Sequence, residues 1–213
     1  MHLLYIADPL CSWCYGFGPE LERLLANHPG TKLDLVMGGL RAFNTDPMSA
    51  AFRDMLREHW KHVREASGLP FSDAIFAKAD FVYDTELPCR AVVTARTLDD
   101  TRALGLMKAV QSAFYRDAQD VTRSQVLADI AAASGYDRAE FLAKLGDDEM
   151  RDETRLDFTT AQSLGVSGFP TLGVAYGQQL FLVTSGFVTA AVLEERLAEI
   201  DRLQRERSVA KSA

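Results

Sequence analysis

Cys11-Ser12-Trp13-Cys14 constrains the fold of this chain more than any other feature, because of where it falls. It follows a short apolar run, Leu3 to Ala7, that leaves no helical room before the turn signal Asp8-Pro9, so the run predicts a buried strand. A helix is predicted from about Cys11 to Ala26, with Leu21, Leu24 and Leu25 at i, i+3, i+4 spacing. Pro19 is expected to kink it and His28-Pro29-Gly30 to stop it. Leu33, Leu35 and Met37 alternate through a second strand, Lys32 to Met37, where Gly38-Gly39 is read as a simple turn at the strand end. Strand–helix–strand in so short a length is a βαβ unit with parallel strands.

Two sulfurs separated by two residues at a helix start lie within disulfide range, and the unpaired N–H groups and dipole of that helix end stabilise a negative sulfur. Cys11, nearer solvent, is therefore expected to be the attacking thiol, and Cys14, one turn further in, the resolving thiol. The competing chemistry is zinc. Adding His59 and His62 to the two cysteines gives the ligand inventory of a Cys2His2 site, but these histidines lie on a helix some 45 residues away and lack finger spacing. A C-x-x-C that follows a strand and opens a helix within a βαβ unit is the context of redox chemistry, and no metal is expected.

Beyond Asp46 the period becomes helical. Asp46-Pro47 reads as an N-cap followed by proline at the first helical position, with Met48, Ala51, Phe52, Met55, Leu56, Trp60 and Val63 marking one face. Further helices are predicted near Pro88–Leu98 and Arg102–Arg116. Thr122 with Gln125 suggests a capping box for a helix ending at Gly135, Asp137 with Glu140 a second one ending at Gly146, and Glu149–Leu164 a long helix. The period then returns to two: Thr171–Tyr176 and Leu180–Val183 flank Gly177-Gln178-Gln179 as a hairpin, and an amphipathic helix starts near Thr189. The expected division is 1–46 with 150–205 as one discontinuous domain, 47–149 as a helical insertion, and 206–213 as a polar, frayed tail.

Composition narrows the function. With 47% hydrophobic and 25% charged residues the chain can build an ordinary globular core, and a formal charge of −7 argues against nucleic acid or an anionic membrane as partner. No basic segment and apolar leader precede the first strand, and no apolar run approaches the ~18 residues of a membrane span, so a cytoplasmic location is expected. Three cysteines make no structural disulfide framework there.

Near the C-terminus, Gly165-Val166-Ser167-Gly168-Phe169-Pro170-Thr171 carries a proline into a predicted strand. With Asp8-Pro9-Leu10-Cys11-Ser12-Trp13-Cys14-Tyr15-Gly16-Phe17 and the position of the helical insertion, it resembles the DsbA-like group of the thioredoxin superfamily, in particular its cytosolic FrnE-like members, called predicted disulfide isomerases. The resemblance covers nearly the whole chain. It implies an α/β, thioredoxin fold with an all-helical insertion. The implied activity is that of a protein-disulfide oxidoreductase or isomerase working on protein or peptide thiols and disulfides, with no cofactor beyond glutathione as reductant. It also implies a cis Pro170, against an ordinary trans proline on the residues alone, and a Phe169 backbone that pairs with a substrate strand. Ser12 and Trp13 would contact substrate. Trp13 replaces the histidine found between the cysteines of periplasmic DsbA, and so supplies no cation; its ring either covers the disulfide or packs.

Three roles stay open. Asp8 is either a turn cap or an acid exchanging protons with Cys14, and Cys89 either a small buried hydrophobe or part of a segment approaching the site. The same fold also serves glutathione-dependent isomerases and kappa-type transferases, which carry serine where this chain has Cys11, and a redox-gated binding module is a third class.

Overall fold

A computed structural model describes the backbone of residues 1–212 and the side chains of 1–207. β1 (His2–Ala7) is followed by α1 (Ser12–Asn27) and β2 (Lys32–Met37), and β1 and β2 pair in parallel with Leu3 opposite Leu33 and Ala7 opposite Met37. The helical stretch then comprises α2 (Ala50–Ser67), a short 3-10 turn (Asp73–Ala77), α3 (Glu86–Leu98), α4 (Asp100–Tyr115), α5 (Ser124–Ala133) and α6 (Arg138–Gly146). The chain returns through α7 (Asp148–Ser163), β3 (Thr171–Tyr176), β4 (Gln179–Ser185) and α8 (Ala190–Ser212). The four strands form one mixed sheet in the order β2-β1-β3-β4, with β3 antiparallel to both β1 and β4. This is a thioredoxin fold with a helical insertion.

Register places the site. Ile6 pairs with Thr171, so the chain leaves β1 and enters β3 at the same end of the sheet. Residues 8–11 and 168–170 therefore lie side by side. α3 and α7 cover β2, while α8 packs on β4 and α1. Arg96 of α3 grips Asp157 of α7 with two parallel 2.9 Å bonds, and Asp157 also accepts from the Met37 N–H at 2.9 Å, which fastens the insertion to the sheet edge.

Two helix starts differ from expectation, both because another partner takes the predicted cap. Asp46-Pro47 does not open α2: Pro47 bridges Val82 and the Met48 N–H donates to the Phe81 carbonyl, holding the segment extended. Ser49 is the cap instead, its hydroxyl accepting from the Phe52 N–H. Likewise Thr122 donates to Asp120 rather than capping, and α5 starts at Ser124 after Arg123. Asp137 does cap α6, accepting from the Glu140 N–H at 2.8 Å. The hairpin turn is two residues, Gly177-Gln178, because Gln179 already belongs to β4. α1 runs through Pro19 as one helix. The tail expected at 206–213 falls partly outside the described residues; α8 carries the backbone as helix to Ser212, and the side chains of 208–213 are not described.

The insertion has its own aromatic centre. Trp60, 1% exposed, packs on Phe71, Phe76, Phe114 and Tyr115 with centroid distances of 4.6 to 5.9 Å. Replacing Trp60 with alanine should cost about 3–5 kcal/mol, the range for a buried aromatic, against a near-neutral Leu156→Ala on the exposed face of α7. Urea unfolding of both variants checks this; a Trp60→Ala loss below about 1 kcal/mol would remove the cluster from the core.

Candidate active site

Cys11 is the N-cap residue of α1, with extended backbone (φ −86°, ψ 115°), and Cys14 lies one turn into the helix. The Cys11 amide donates to the Asp8 carbonyl at 3.0 Å, and the Cys11 carbonyl accepts from the Tyr15 N–H, so the Asp8-Pro9 turn delivers the first sulfur at the helix mouth. Cys11 keeps 6% of its surface in contact with solvent and Cys14 none. All three cysteines are free thiols. Burial pushes the Cys14 thiol up, a hydrogen bond with Cys11 pushes it the same way, and only the Asp8 main chain pulls it down. Cys14 is thereby held protonated in the reduced protein.

Across the sheet end, the Phe169–Pro170 peptide bond is cis, and the Cys11 thiol donates to the Phe169 carbonyl at 3.5 Å. Pro170's own carbonyl accepts from the Gly186 N–H at 2.7 Å, and the Thr171 hydroxyl donates to the Gly168 carbonyl at 2.8 Å, so the loop is fixed at both ends. The Phe169 ring rests on Gly38: a Cβ there would lie 2.1 Å from two ring carbons. Gly39 has φ +67° and the Phe158 ring in the same relation. These glycines do more than turn the chain at a strand end; they give two aromatic rings room against the backbone.

A cleft of about 430 Å³ opens on the Cys11 sulfur. One side is Cys11, Ser12 and Trp13 with Gly168 and Phe169; the other is Phe52, Met55, Leu56, His59 and Trp60 of α2, with Leu40, Arg41 and Tyr83 closing it. The sequence-predicted residues Cys11, Ser12, Trp13 and Phe169 thus share one cavity, whereas the buried Pro170 and Cys14 do not line it. Trp13 packs between the His59 ring (5.9 Å, edge-on) and Phe187 (5.6 Å). His59 is half buried, and both burial and the nearby His62 push its pKa down. Among the described residues no group of three or more His, Cys, Asp or Glu could hold a metal ion, so His59 and His62 do not join the cysteines.

Beneath the motif lies a polar cluster. Asp8 is fully buried; its carboxylate accepts from the Leu10 N–H at 2.8 Å and the Leu40 N–H at 2.7 Å, and the Cys89 thiol donates to it at 3.4 Å. Burial raises its pKa against those bonds. Asp8 therefore caps the turn, and Cys89 is a buried thiol in direct contact with that cap. Tyr83 donates to the Leu10 carbonyl and has its hydroxyl 3.5 Å from that of Tyr115. Tyr5, fully buried on β1, faces Cys14, and burial followed by the two cysteines raises its pKa well above the usual phenol range. Arg41, Tyr83 and Tyr5 were not legible as site residues, since each belongs to a different element and none forms a local pattern; His59 stood out only as a possible zinc ligand.

Residues 5–198 match the family model of the DSBA-like thioredoxin domain. The chain belongs to that DSBA-like family. Among solved structures, a candidate protein disulfide isomerase from Nitrosomonas europaea is 30% identical, with 95% of this chain and 98% of that one covered and a TM-score of 0.89. The cytosolic disulfide reductase DsbM from Pseudomonas aeruginosa, also solved with GSH, is 25% identical over 96% of this DSBA-like chain and 99% of its own, with a TM-score of 0.77. A curated protein, the ClpXP adapter protein SpxH of Halalkalibacterium halodurans, is 25% identical over 170 residues, 77% of this chain. The chain spans only 55% and 57% of the two curated SpxH proteins it matches. No helix among the described residues is long and apolar enough to cross a membrane.

Gly38→Ala should push the Phe169 ring off its seat and cost about 1–3 kcal/mol, as overpacking does, while slowing reaction at Cys11. Gly168→Ala in the same loop meets nothing within 4 Å and should do neither. Urea midpoints and iodoacetamide labelling rates of the two variants separate the cases; equal behaviour would contradict the contact.

Proposed function

We propose that this protein is a thiol–disulfide oxidoreductase that exchanges disulfides with protein or peptide substrates through Cys11 and Cys14, acting in the cytoplasm in the direction of reduction or isomerisation. One observation carries the reading: the Cys11 sulfur sits at the mouth of α1, on the wall of an open cleft and 3.5 Å from the Phe169 carbonyl, with Cys14 sealed one turn behind it. The likeness to DsbM, described as a cytosolic disulfide reductase, supports direction and compartment, and its structure with GSH supports glutathione as the thiol that resets the pair.

The cycle balances on these two residues. The Cys11 thiolate attacks one sulfur of the substrate disulfide, the other sulfur leaves as a thiolate and takes up a proton, and a mixed disulfide remains on Cys11. Cys14 gives up its proton, attacks the Cys11 sulfur and releases the second substrate thiol, leaving Cys11–Cys14 oxidised. Two glutathione thiols then restore the dithiol and leave as glutathione disulfide. Ser12 and Trp13 contact the substrate from the helix side, and an extended substrate strand pairs along the Phe169 backbone, next to Pro170. A serine at the Cys11 position would point instead to glutathione-dependent isomerases or transferases; here both thiols are present.

The roles are separable by trapping. Cys14→Ser should accumulate a covalent mixed disulfide between Cys11 and a scrambled, disulfide-containing protein substrate, visible on non-reducing gels and released by dithiothreitol. Cys11→Ser should form none and reduce insulin no faster than buffer. Trapping on Cys14 in the Cys11→Ser variant would reverse the assignment.

A further inference from the structure

Resting on that reading, we infer that Arg41 selects the substrate: its guanidinium receives a carboxylate on the disulfide that enters the Cys11 cleft. Arg41 is the one lining residue with a fixed charge, in a cavity otherwise walled by apolar and aromatic side chains such as Trp13, Phe52 and Leu56. His59 adds no cation at neutral pH, since burial and His62 hold its pKa down.

The guanidinium is placed but not neutralised. The Arg41 main-chain N–H donates to the buried Thr85 hydroxyl at 3.1 Å, which fixes the residue at the cleft edge. Its side chain lies with Cζ 4.4 Å from the Phe52 ring centroid and reaches only the Asn44 amide oxygen, at 3.4 Å. Its Nε–H is shut off from solvent without a hydrogen-bond partner. No carboxylate among the described residues pairs with it, although this acidic chain engages Arg90 with Glu86 and Arg96 with Asp157 elsewhere. A guanidinium without a carboxylate partner beside an apolar cavity favours a planar carboxylate, which can take two N–H bonds at once. Cavities of this size take small organic ligands, so the class is a disulfide with a carboxylate close to its sulfur, either a small molecule or an acidic or C-terminal residue of a peptide.

The reacting step is unchanged. Cys11 attacks the near sulfur, the S–S bond breaks, and the far half leaves as a thiol; Arg41 holds the retained half by its carboxylate, and the protein dithiol is the reductant.

The test uses two disulfides with the same two-methylene spacers, the neutral bis(2-hydroxyethyl) disulfide and the dianionic 3,3'-dithiodipropionate. Each is mixed in excess with the reduced full chain at pH 7, quenched in acid, and the oxidised protein counted by mass. Rates are divided by those of dithiothreitol with the same disulfide. The parent should favour the dicarboxylate, and Arg41→Gln should lower the ratio of its rate on the dicarboxylate to its rate on the neutral disulfide about tenfold, ~1.4 kcal/mol. Arg41→Lys, which keeps the charge without the fork, should fall between and serves where the glutamine variant folds poorly. A parent without preference, or variants slowed alike on both disulfides or on neither, overturns the inference. A parent oxidised by neither disulfide overturns the redox reading itself, and the inference falls with it.

Discussion

The buried carboxylate of Asp8 holds the site together. One oxygen receives the Leu10 N–H, the other receives the Leu40 N–H and the Cys89 thiol, so a single side chain joins the turn before α1, the loop after β2 and the start of α3. The bonds from the Leu10 N–H and the Cys89 thiol are buried, where a donor left unpaired would cost about 1–3 kcal/mol. Burial of the charge opposes this, which is why the carboxyl titrates above its ordinary range even with those bonds. The same residue's carbonyl takes the Cys11 N–H and its main chain faces the Cys14 sulfur, so the geometry of both thiols follows from how this one turn is anchored.

The insertion completes what the thioredoxin elements begin. α1 and the loop before β3 supply the sulfur and the strand-like backbone beside it, but the opposite wall of the cleft is α2 and Tyr83. α2 can approach because Gly16 faces it: a Cβ there would lie 2.9 Å from Val63 Cγ1. Behind α2 the Trp60 cluster makes that wall rigid, and the Arg96–Asp157 pair ties α3 and α7 to β2. The sulfur and the far wall of its cleft therefore come from different parts of the chain and meet only in the folded molecule.

This division explains how much could be read from the residues alone. Strand and helix periods, Asp8-Pro9, His28-Pro29-Gly30 and the cysteine pair are local signals, and β1, α1, β2, α7 and the β3–β4 hairpin lie where they predict. Phe169 beside Cys11 follows from resemblance, since only the pairing of Ile6 with Thr171 brings residues 158 positions apart together. Caps were misplaced where a non-local partner competed: Phe81 and Val82 hold the Asp46–Met48 segment, and Asp120 occupies Thr122. Arg41 and Tyr83 were illegible, and the place of His59 beside Trp13 with them, because a side chain's presence at a cavity depends on tertiary packing, and Gly38 because the need for its missing Cβ arises from a ring 131 residues away.

The central claim is that Cys11 and Cys14 form one reversible redox couple while Cys89 stays outside it. Equilibrating the full chain across a series of glutathione buffers, trapping thiols with acid and an alkylating agent, and mapping the disulfides by peptide mass tests it directly. The account predicts one two-electron transition, with a Cys11–Cys14 disulfide on its oxidised side and an alkylated Cys89 throughout. A disulfide to Cys89, or glutathione retained on Cys11 with Cys14 still a thiol at equilibrium, would contradict it.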